Sequence, residues 1–333
     1  MADHAVLIGI ESYPGMKDLA GPCNDAQAIE EWLIDPVGGG LNPANVAKKL
    51  TSDFPPPSDV DDAHPMLSDL DILFRPLVEK AALKKHTKGR LFIFVAGHGF
   101  ADAQDMSTAA LFTANARFLF PLHLAIIDYV NFFRRTWAFD EIIVIMDVCR
   151  STNAMQEISK AQLPIVNPHP NANKVKMFIG FATGHNQVAR ERAFNGEVRG
   201  IFTVAMLDAL RNANSNKFGK VTGKAIKRYV HNSIDVIAGD MQISPPEINV
   251  DEDKDVFFVA RQASGVDVEF HINVTYFNHE LVIKFGGVDE VYRADIIVSP
   301  LSVTLSPGLY KVQIEDFPVS INFEVPTNDS ITL

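Results

Sequence analysis

Two residues that can act together in covalent chemistry, His98 and Cys149, each follow an apolar run of the chain. The run LFIFVA precedes Gly97-His98-Gly99, and the run EIIVIM precedes Asp147-Val148-Cys149. A thiol must lose its proton before it attacks a carbonyl carbon, and a neighbouring imidazole can take that proton. The pair therefore predicts nucleophilic chemistry, with Cys149 as the nucleophile and His98 as the general base.

The same two turns also offer backbone donors. An attacked carbonyl develops negative charge on its oxygen, and backbone N–H groups close to that oxygen stabilise it. Gly99 has no Cβ, which would let a substrate approach the backbone, so the N–H groups of Gly99 and Cys149 are the predicted oxyanion hole. Taken singly, a free cysteine is usually a small buried hydrophobe. The position of both residues after apolar runs is what favours catalysis.

Bringing the two turns together requires a scaffold, and the apolar patterns predict one. Helices are predicted where apolar residues recur at helical spacing, the first of them beginning at Asn24 or Asp25. Near-continuous apolar strands that alternate with helices are typical of a parallel α/β sheet covered on both faces. Because functional groups gather at the carboxyl ends of such strands, His98 and Cys149 are expected side by side. The predicted strands are 4–10, 91–96, 141–146 and 176–181, and the later helices are 66–82, 122–133, 201–212 and 222–238.

The pattern changes near residue 265, after which strands alternate with turns and no helix is predicted. Strands are predicted at 268–274, 280–285, 310–314 and 321–325. We therefore predict two domains. The first is an α/β domain over 1–262, and the second is a small all-β module, similar to a β-sandwich, over 266–333.

Composition excludes several classes of protein. The 333 residues include 30 Lys plus Arg and 41 Asp plus Glu, a formal net charge of −11, which does not favour nucleic acid. With only two cysteines, Cys23 and Cys149, neither a disulfide framework nor a cysteine-rich zinc site is expected. No signal peptide or membrane-length apolar run is present, so we expect a cytoplasmic protein that does not bind membranes.

Four stretches together resemble the caspase-like cysteine peptidases, in particular the bacterial metacaspase and orthocaspase types. Members of that family carry His-Gly after one strand and D-x-C after another, roughly fifty residues later. The resemblance covers residues 4 to 260 and implies a caspase-like fold and a cysteine endopeptidase with a Cys149/His98 dyad. The matching stretches are FIFVAGHG, IIVIMDVCRS, HAVLIGIESYPGMKDLAGPCNDAQAIEEWL and FATGHNQVARERAFNGEVRGIFTVAMLDAL.

The residues on either side of Cys149 differ from the family patterns, and this difference concerns substrate specificity. Animal caspases have Q-A-C there, and metacaspases usually have His-Ser-Gly after the cysteine, whereas this chain has D-V-C-R-S. Asp147 thus stands where animal caspases have glutamine. In metacaspase-type relatives a second acid lies in an N-D-A stretch, and the matching residue here is Asp25. Two carboxylates at the P1 pocket imply cleavage after Arg or Lys. Helix capping by Asp25, and a role for Asp147 as a strand-end turn residue or a hydrogen-bond anchor, are the alternatives.

Activation and partners follow from the same resemblance. Caspase-like enzymes often mature by a cut after the nucleophile, and the polar segment Ser151–Lys176 is suited to such a cut, with a plain surface loop as the alternative. The segment contains Lys160, Lys174 and Lys176, and Arg150 lies just before it. A second polar segment, Arg190–Arg199, is also a candidate. The predicted protein is then a zymogen that acts on protein or peptide substrates. The C-terminal module is a candidate site for a protein activator or regulator, and bacterial relatives suggest defence or cell-death pathways.

No cofactor is predicted. Some metacaspase-type relatives require calcium, but the acidic cluster Asp59, Asp61 and Asp62 lacks the D-x-D-x-D-G pattern of a calcium loop. Three rival functions remain. A catalytically silent scaffold that binds proteins is disfavoured because both dyad residues are present. A serine hydrolase lacks its G-x-S-x-G elbow, and a nucleotide-binding domain lacks its G-x-x-x-x-G-K-[ST] loop.

Overall fold

The chain forms two compact units, Met1–Asn212 with Ile226–Val256 and Ala213–Ala225 with Phe257–Leu333. Within the part that the structure describes, no helix is long and apolar enough to span a membrane. The structure is a computed structural model, and it describes residues 3–83, 86–87, 89–102, 105, 107–151, 157–216, 219–251, 255–260, 266–285, 289–305, 308–325, 328 and 330–333.

The secondary structure alternates strands and helices up to residue 250 and continues with strands thereafter. The first part contains β1 (His4–Gly9), α1 (Pro22–Ile34), β2 (Val46–Leu50), α2 (Leu67–Ala82), β3 (Arg90–Gly97), β4 (Gly99–Phe100), β5 (Ala110–Phe112), β6 (His123–Leu124), α3 (Ile126–Thr136), β7 (Glu141–Val148), β8 (Lys176–Phe181), β9 (Glu191–Phe194), β10 (Glu197–Gly200), α4 (Ile201–Asn212), β11 (Lys220–Thr222), α5 (Gly223–Ala238) and β12 (Glu247–Val250). The second part contains β13 (Phe257–Ala260), β14 (Val266–His271), β15 (Glu280–Phe285), β16 (Asp289–Asp295), β17 (Leu301–Leu305), β18 (Gly308–Ile314), β19 (Ser320–Val325) and β20 (Ser330–Thr332).

A six-stranded sheet organises the first unit, in the order β12-β8-β7-β3-β1-β2. Its strands are parallel except for β12, which runs antiparallel to β8 at the edge. In the pairing of β3 with β7, Gly97 lies opposite Val148. His98 and Cys149 are the next residues of the two strands, so the register places them at the same level of the sheet edge.

Helices cover both faces of this sheet. On one face, Phe74 of α2 and Phe133 of α3 share an apolar core with Ile93 and Val144 of the central strands. On the other face α1 contacts β1, β3 and α4, and the Trp32 ring meets Phe92 edge-on at 6.5 Å between centroids. The predicted α/β class, with a parallel-rich sheet between two helical layers, is therefore confirmed.

Three local predictions differ from the structure. Helix α1 has Gly21 at its N-cap and Pro22 in its first turn, so the predicted cap at Asn24 or Asp25 is wrong. The predicted helix 122–133 is wrong at its start, because His123–Leu124 form strand β6 and α3 begins at Ile126. Strand β2, an edge strand in which only one residue of VAKKL is buried, was not predicted from its polar pattern.

Two further β elements complete the first unit around the site. The short strands β4, β5 and β6 form a three-stranded sheet that begins directly after His98. Strands β9 and β10 form an antiparallel hairpin in which Arg199 lies opposite Arg192. Helix α4 begins at Ile201, immediately after this hairpin, so the last residues of β10 lie next to the start of α4.

The second unit is built from antiparallel strands. Its two larger sheets have the orders β17-β14-β20 and β16-β15-β18-β19, and β11 pairs with β13 in a small third sheet. Strand β20 is the exception in direction, since it runs parallel to β14. Phe270 of β14 packs in one apolar cluster with Ile283, Val312 and Phe323 of the other large sheet. Two sheets that share an apolar core are the arrangement of a sandwich.

Candidate active site

A cleft of about 400 Å³ opens at the carboxyl ends of β3 and β7, and four of the predicted site residues line it. His98 follows β3, and Cys149 follows β7. Asp147 is the next-to-last residue of β7, and Asp25 lies in the first turn of α1. The parallel sheet and the helix after β1 thus bring together residues that are up to 124 positions apart in sequence (149 − 25).

Contacts with Tyr13 and Lys17 hold His98. Its backbone N–H donates to the Tyr13 hydroxyl oxygen at 3.0 Å, and the two rings lie 4.7 Å apart between centroids. Its Nε2 lies 2.6 Å from the carbonyl oxygen of Lys17. A carbonyl oxygen only accepts hydrogen bonds, so Nε2 carries a proton and Nδ1 is the basic nitrogen of the neutral ring. Nδ1 is therefore the atom that can accept a proton from a thiol.

Cys149 is half-buried, and its surroundings keep the thiol protonated at rest. Burial is the main factor that raises its pKa, and the charge of Asp147 raises it further. A hydrogen bond with the backbone of Ala189 and the charge of Arg190 act in the opposite direction. A thiol with a raised pKa is a poor nucleophile by itself, so it depends on a neighbouring base.

Asp25 is almost fully buried, with 1% of its surface exposed. Its Oδ1 accepts a hydrogen bond from Arg199 Nε at 2.6 Å, and its Oδ2 accepts one from the Gly200 N–H at 2.8 Å. Both donors come from the end of β10, 174 and 175 residues along the chain. Since the carboxylate turns toward β10 and α1 is capped at Gly21, the alternative that Asp25 caps the helix is wrong.

Asp147 is held by the start of α4. Its Oδ2 accepts from the Thr203 N–H at 3.1 Å and from the Thr203 hydroxyl at 2.7 Å. Within the described part of the chain, no hydrogen bond is donated to Oδ1. The carboxylate lines the cleft, so Oδ1 is the oxygen available to a bound group.

Gly200 separates the two carboxylates. A Cβ added to it would lie 2.1 Å from Asp147 Oδ2 and 2.9 Å from Asp25 Oδ2, closer than side-chain atoms can approach. Only glycine permits this packing. Burial raises the pKa of both carboxyl groups, and the charge of Asp147 adds to the rise at Asp25. Hydrogen bonds from Arg199 and Thr203 act against the rise. Two adjacent buried carboxylates are an arrangement that a cation in the cleft would stabilise.

Gly99 occupies a different environment from the one expected. It lies in β4, opposite Leu111 of β5, and it is not one of the described residues that line the cleft. A Cβ at this position would lie 2.6 Å from the Ala110 carbonyl oxygen and 2.8 Å from Val148 Cβ. Packing of neighbouring strands therefore explains the glycine. The assignment of the Gly99 and Cys149 N–H groups as an oxyanion hole stays a prediction.

Four site residues were missed by sequence reasoning: Tyr13, Glu191, Arg199 and Thr203. Three of them lie in the stretch 181–210 that carries the family resemblance, but nothing in their local pattern identifies a role. Glu191 shows why. Its carboxylate accepts the backbone N–H groups of Ala20 and Gly21 at 3.2 and 3.0 Å, and so fixes the start of α1 from 170 residues away.

Arg150, which follows Cys149 where metacaspase-type relatives usually have histidine, has a structural role. Its side chain is fully buried, pairs with Glu247 at 2.5 Å and lies over the Phe181 ring at 4.1 Å. These contacts join the end of β7 to β8 and β12. The departure from the family pattern therefore concerns the contacts that hold the end of β7, while Cys149 and His98 are both present in the cleft.

The acidic cluster considered for calcium is engaged in other contacts. Asp61 pairs with Arg117 at 2.8 Å, and Asp62 accepts a hydrogen bond from the Ser58 hydroxyl. In the described ranges, no group of three histidine, cysteine or acidic side chains is arranged to hold a metal ion.

Comparison with known proteins identifies the family and the fold. A probable protease from a Desulfuromonadales bacterium is 27% identical over 223 residues, which is 65% of this chain but only 27% of that longer protein. The crystal structure of caspase-1 from Spodoptera frugiperda superposes with a TM-score of 0.50 at 14% identity, covering 78% of this chain and 91% of that one, which shows a shared fold. A structure from Geobacter sulfurreducens has a TM-score of 0.46 at 14% identity and covers 79% and 98% of the two chains. The family model for the caspase domain matches residues 2–247, well over half of the sequence, and the chain therefore belongs to the caspase-domain peptidase family.

Proposed function

We propose that this protein is a cysteine endopeptidase that cleaves after Arg or Lys, with Cys149 as nucleophile and His98 as general base. The observation that carries the proposal is the shared cleft, in which the thiol and imidazole lie with two buried carboxylates. Its acidity distinguishes this cleft chemically, because a buried carboxylate pair favours a cationic side chain over an acidic one.

The reaction follows from the groups in the cleft. His98 Nδ1 takes the thiol proton, and the Cys149 sulfur attacks the carbonyl carbon of the scissile bond. The tetrahedral intermediate places charge on its oxygen, for which the N–H groups of Gly99 and Cys149 are the proposed donors. The C–N bond then breaks as His98 returns the proton to the leaving amine. Water, activated by the same imidazole, hydrolyses the thioester and releases the acid.

Specificity is assigned to Asp147 and Asp25. A P1 guanidinium or ammonium group in the cleft would donate a hydrogen bond to Oδ1 of Asp147, and the charge of Asp25 lies close by. An aspartate at P1 would instead add a third carboxylate to a buried acidic site, which is strongly unfavourable. Substrates are therefore proteins or peptides with an accessible basic residue.

Activation by a cut after the nucleophile also belongs to this proposal. Of the predicted segment Ser151–Lys176, residues 152–156 lie outside the described residues. The following part runs along α3, where the N–H of Ser159 donates to His123 Nε2 at 2.9 Å and that of Ala161 to Asp128 at 2.8 Å. Lys160 lies between these anchors with its side chain exposed. We propose Lys160 as the cut site, because Arg150 is buried, Lys174 ends a 3₁₀ turn and Lys176 lies in β8.

The test is an assay of the purified protein against fluorogenic peptides with Arg, Lys or Asp at P1, with and without calcium. The Cys149→Ala variant runs beside it, and Cys23→Ala is the matched control. Cys23 is the chain's other cysteine, is buried, and has its thiol pKa raised to about 11, chiefly by burial. We expect release from Arg and Lys peptides that disappears in Cys149→Ala and persists in Cys23→Ala.

Other outcomes separate the parts of the proposal. Release from Asp peptides alone would retain the peptidase and refute the roles of Asp25 and Asp147. No release, either with calcium or after a proteolytic nick in the Ser151–Lys176 segment, would favour the scaffold that binds protein partners. Cytoplasmic location, a defence or cell-death role, and binding of a regulator by the C-terminal module stay predictions.

A further inference from the structure

The ion pair of Arg199 with Asp25 is a feature that substrate recognition by two carboxylates does not explain. The Arg199 side chain is 14% exposed and bonds Asp25 from the end of β10. Gly200 lines the cleft, whereas Arg199 is not one of the described lining residues, so the guanidinium lies behind Asp25. One of the two predicted substrate-binding carboxylates therefore already has a permanent cationic partner.

The second carboxylate is arranged differently. Asp147 receives both of its hydrogen bonds from Thr203, a neutral residue, and both reach the same oxygen. The two carboxylates and one guanidinium together carry one net negative charge. A single P1 cation at Asp147 Oδ1 would bring the group to neutrality, which is the favourable state for charges removed from water.

An unsatisfied donor accompanies this arrangement. Nη2 of Arg199 is buried and has no hydrogen-bond partner within the described residues. A buried guanidinium nitrogen without a partner destabilises a fold, so stability of the fold does not by itself account for an arginine at this position. Burial and the charge of Asp147 raise the pKa of Asp25, and the ion pair with Arg199 acts against that rise, because a neighbouring cation favours the charged form of an acid.

We propose that Arg199 is a positioning residue that sets the charge of the P1 pocket: by its ion pair with Asp25 from behind, it leaves Asp147 as the carboxylate of the pair without an ion-pair partner, available to a singly charged basic side chain. This inference rests on the proposed cleavage after Arg or Lys. Other charged groups near the pair are Glu191 of β9, whose charge acts on Asp147, and Lys17 and Arg190 in the cleft wall. These groups are the same in every variant below.

The decisive experiment is a charge-rescue cycle with one fluorogenic P1-Arg peptide. In Asp25→Asn, Arg199 loses its counter-charge and opposes the P1 cation, so we expect kcat/KM to fall about a hundredfold, chiefly through KM. In the double variant Asp25→Asn/Arg199→Gln the net charge of −1 is restored on Asp147. We expect the double variant to recover at least about tenfold over Asp25→Asn. A purely structural role predicts the reverse, because the second change would remove a further contact.

The pH profile gives a second readout. Arg199→Gln leaves two neighbouring carboxylates without a cation, so protonation competes with substrate up to a higher pH. We expect the acidic limb of kcat/KM to move up by about one pH unit, and Arg199→Lys to restore most of that shift. The matched control is Arg192→Gln. Arg192 lies opposite Arg199 in the same hairpin, donates to the carbonyls of Ile237 and Ala238, and lies over the Phe194 ring at 5.0 Å.

The results separate the two levels of the proposal. If wild-type protein does not cleave after Arg or Lys, the proposed function fails and this inference fails with it. If the wild type does cleave there, but the double variant is no better than Asp25→Asn and the acidic limb of Arg199→Gln is unmoved, only the role of Arg199 is overturned. Thermal unfolding of each variant excludes misfolding as the cause, and alkylation of Cys149 by iodoacetamide counts intact sites.

Discussion

The hydroxyl of Thr203 provides a test of the acidic pocket that leaves every charge in place. Thr203 is fully buried at the start of α4, and its hydroxyl donates to Asp147 Oδ2 at 2.7 Å. Thr203→Val keeps the shape of the side chain and the backbone N–H bond to the same oxygen, and removes only this donor. The variant therefore measures how strongly one hydrogen bond holds the substrate-binding carboxylate ionised and in position.

The size of the effect follows from the type of bond. A hydrogen bond to a charged group contributes about 1.5–3 kcal/mol. At 1.4 kcal/mol per factor of ten, kcat/KM for a P1-Arg peptide should fall about ten- to a hundredfold if the whole contribution acts on P1 binding. The bond from Thr203 also lowers the pKa of Asp147 against the effect of burial. Its loss should therefore move the acidic limb of the pH profile to higher pH.

The assay is steady-state cleavage of the P1-Arg peptide across pH, with the alkylation rate of Cys149 measured in parallel. That rate should change little, because the lost hydroxyl bonds Asp147 and not the thiol, and burial affects the pKa of Cys149 more than the charge of Asp147 does. Thr136→Val is the matched control, since Thr136 is also buried and its hydroxyl bonds only carbonyls of its own helix α3. A Thr203→Val enzyme that keeps kcat/KM within about twofold of wild type, with the same acidic limb, would refute the pocket argument.

Three further outcomes are expected. Tyr13→Phe removes the acceptor of the His98 N–H, so kcat should fall about tenfold with KM little changed, and unchanged kcat would show that Tyr13 does not hold the base. Burial raises the pKa of Asp147, so the wild-type fold gains stability as pH falls through that pKa. Asp147→Asn should therefore have a higher melting temperature than wild type at about pH 8 and lose this difference near pH 4. A lower melting temperature for the variant at pH 8 would contradict this sign. Gly200→Ala places a methyl 2.1 Å from Asp147 and should abolish cleavage after Arg, whereas Gly184→Ala meets only the end of a glutamine side chain at 3.1 Å and should retain it, so equal activities would refute the steric argument.

The sequence by itself determined the fold class and the placement of His98 and Cys149 at one edge of the sheet. Strands β3 and β7 are continuous apolar runs, and such runs separated by helices are enough to indicate a covered parallel sheet. In that sheet the carboxyl ends of neighbouring strands meet, which places His98 and Cys149 at one edge. The acidic residues Asp25 and Asp147 came from resemblance to a family, and the structure brings both to the same cleft.

The bounds of individual helices and strands were less predictable where they depend on the neighbouring parts of the fold. The run after Pro121 has helical periodicity, but pairing with β5 draws His123 and Leu124 into a strand first. Strand β2 carries two lysines and lies at the edge of the sheet, where one side of the strand faces solvent. Neither outcome is readable from a short window, because it depends on which partner lies beside the segment.

Only the tertiary structure decided how the site is charged and held. Arg199 meets Asp25 across 174 residues, Thr203 meets Asp147 across 56, and Glu191 binds the start of α1 across 170. None of these residues lies in a local pattern that indicates its partner. The physical reason is that a strand or helix is encoded by neighbours in sequence, whereas the ionisation of a buried carboxylate depends on donors and charges within a few ångströms, whatever their position in the chain.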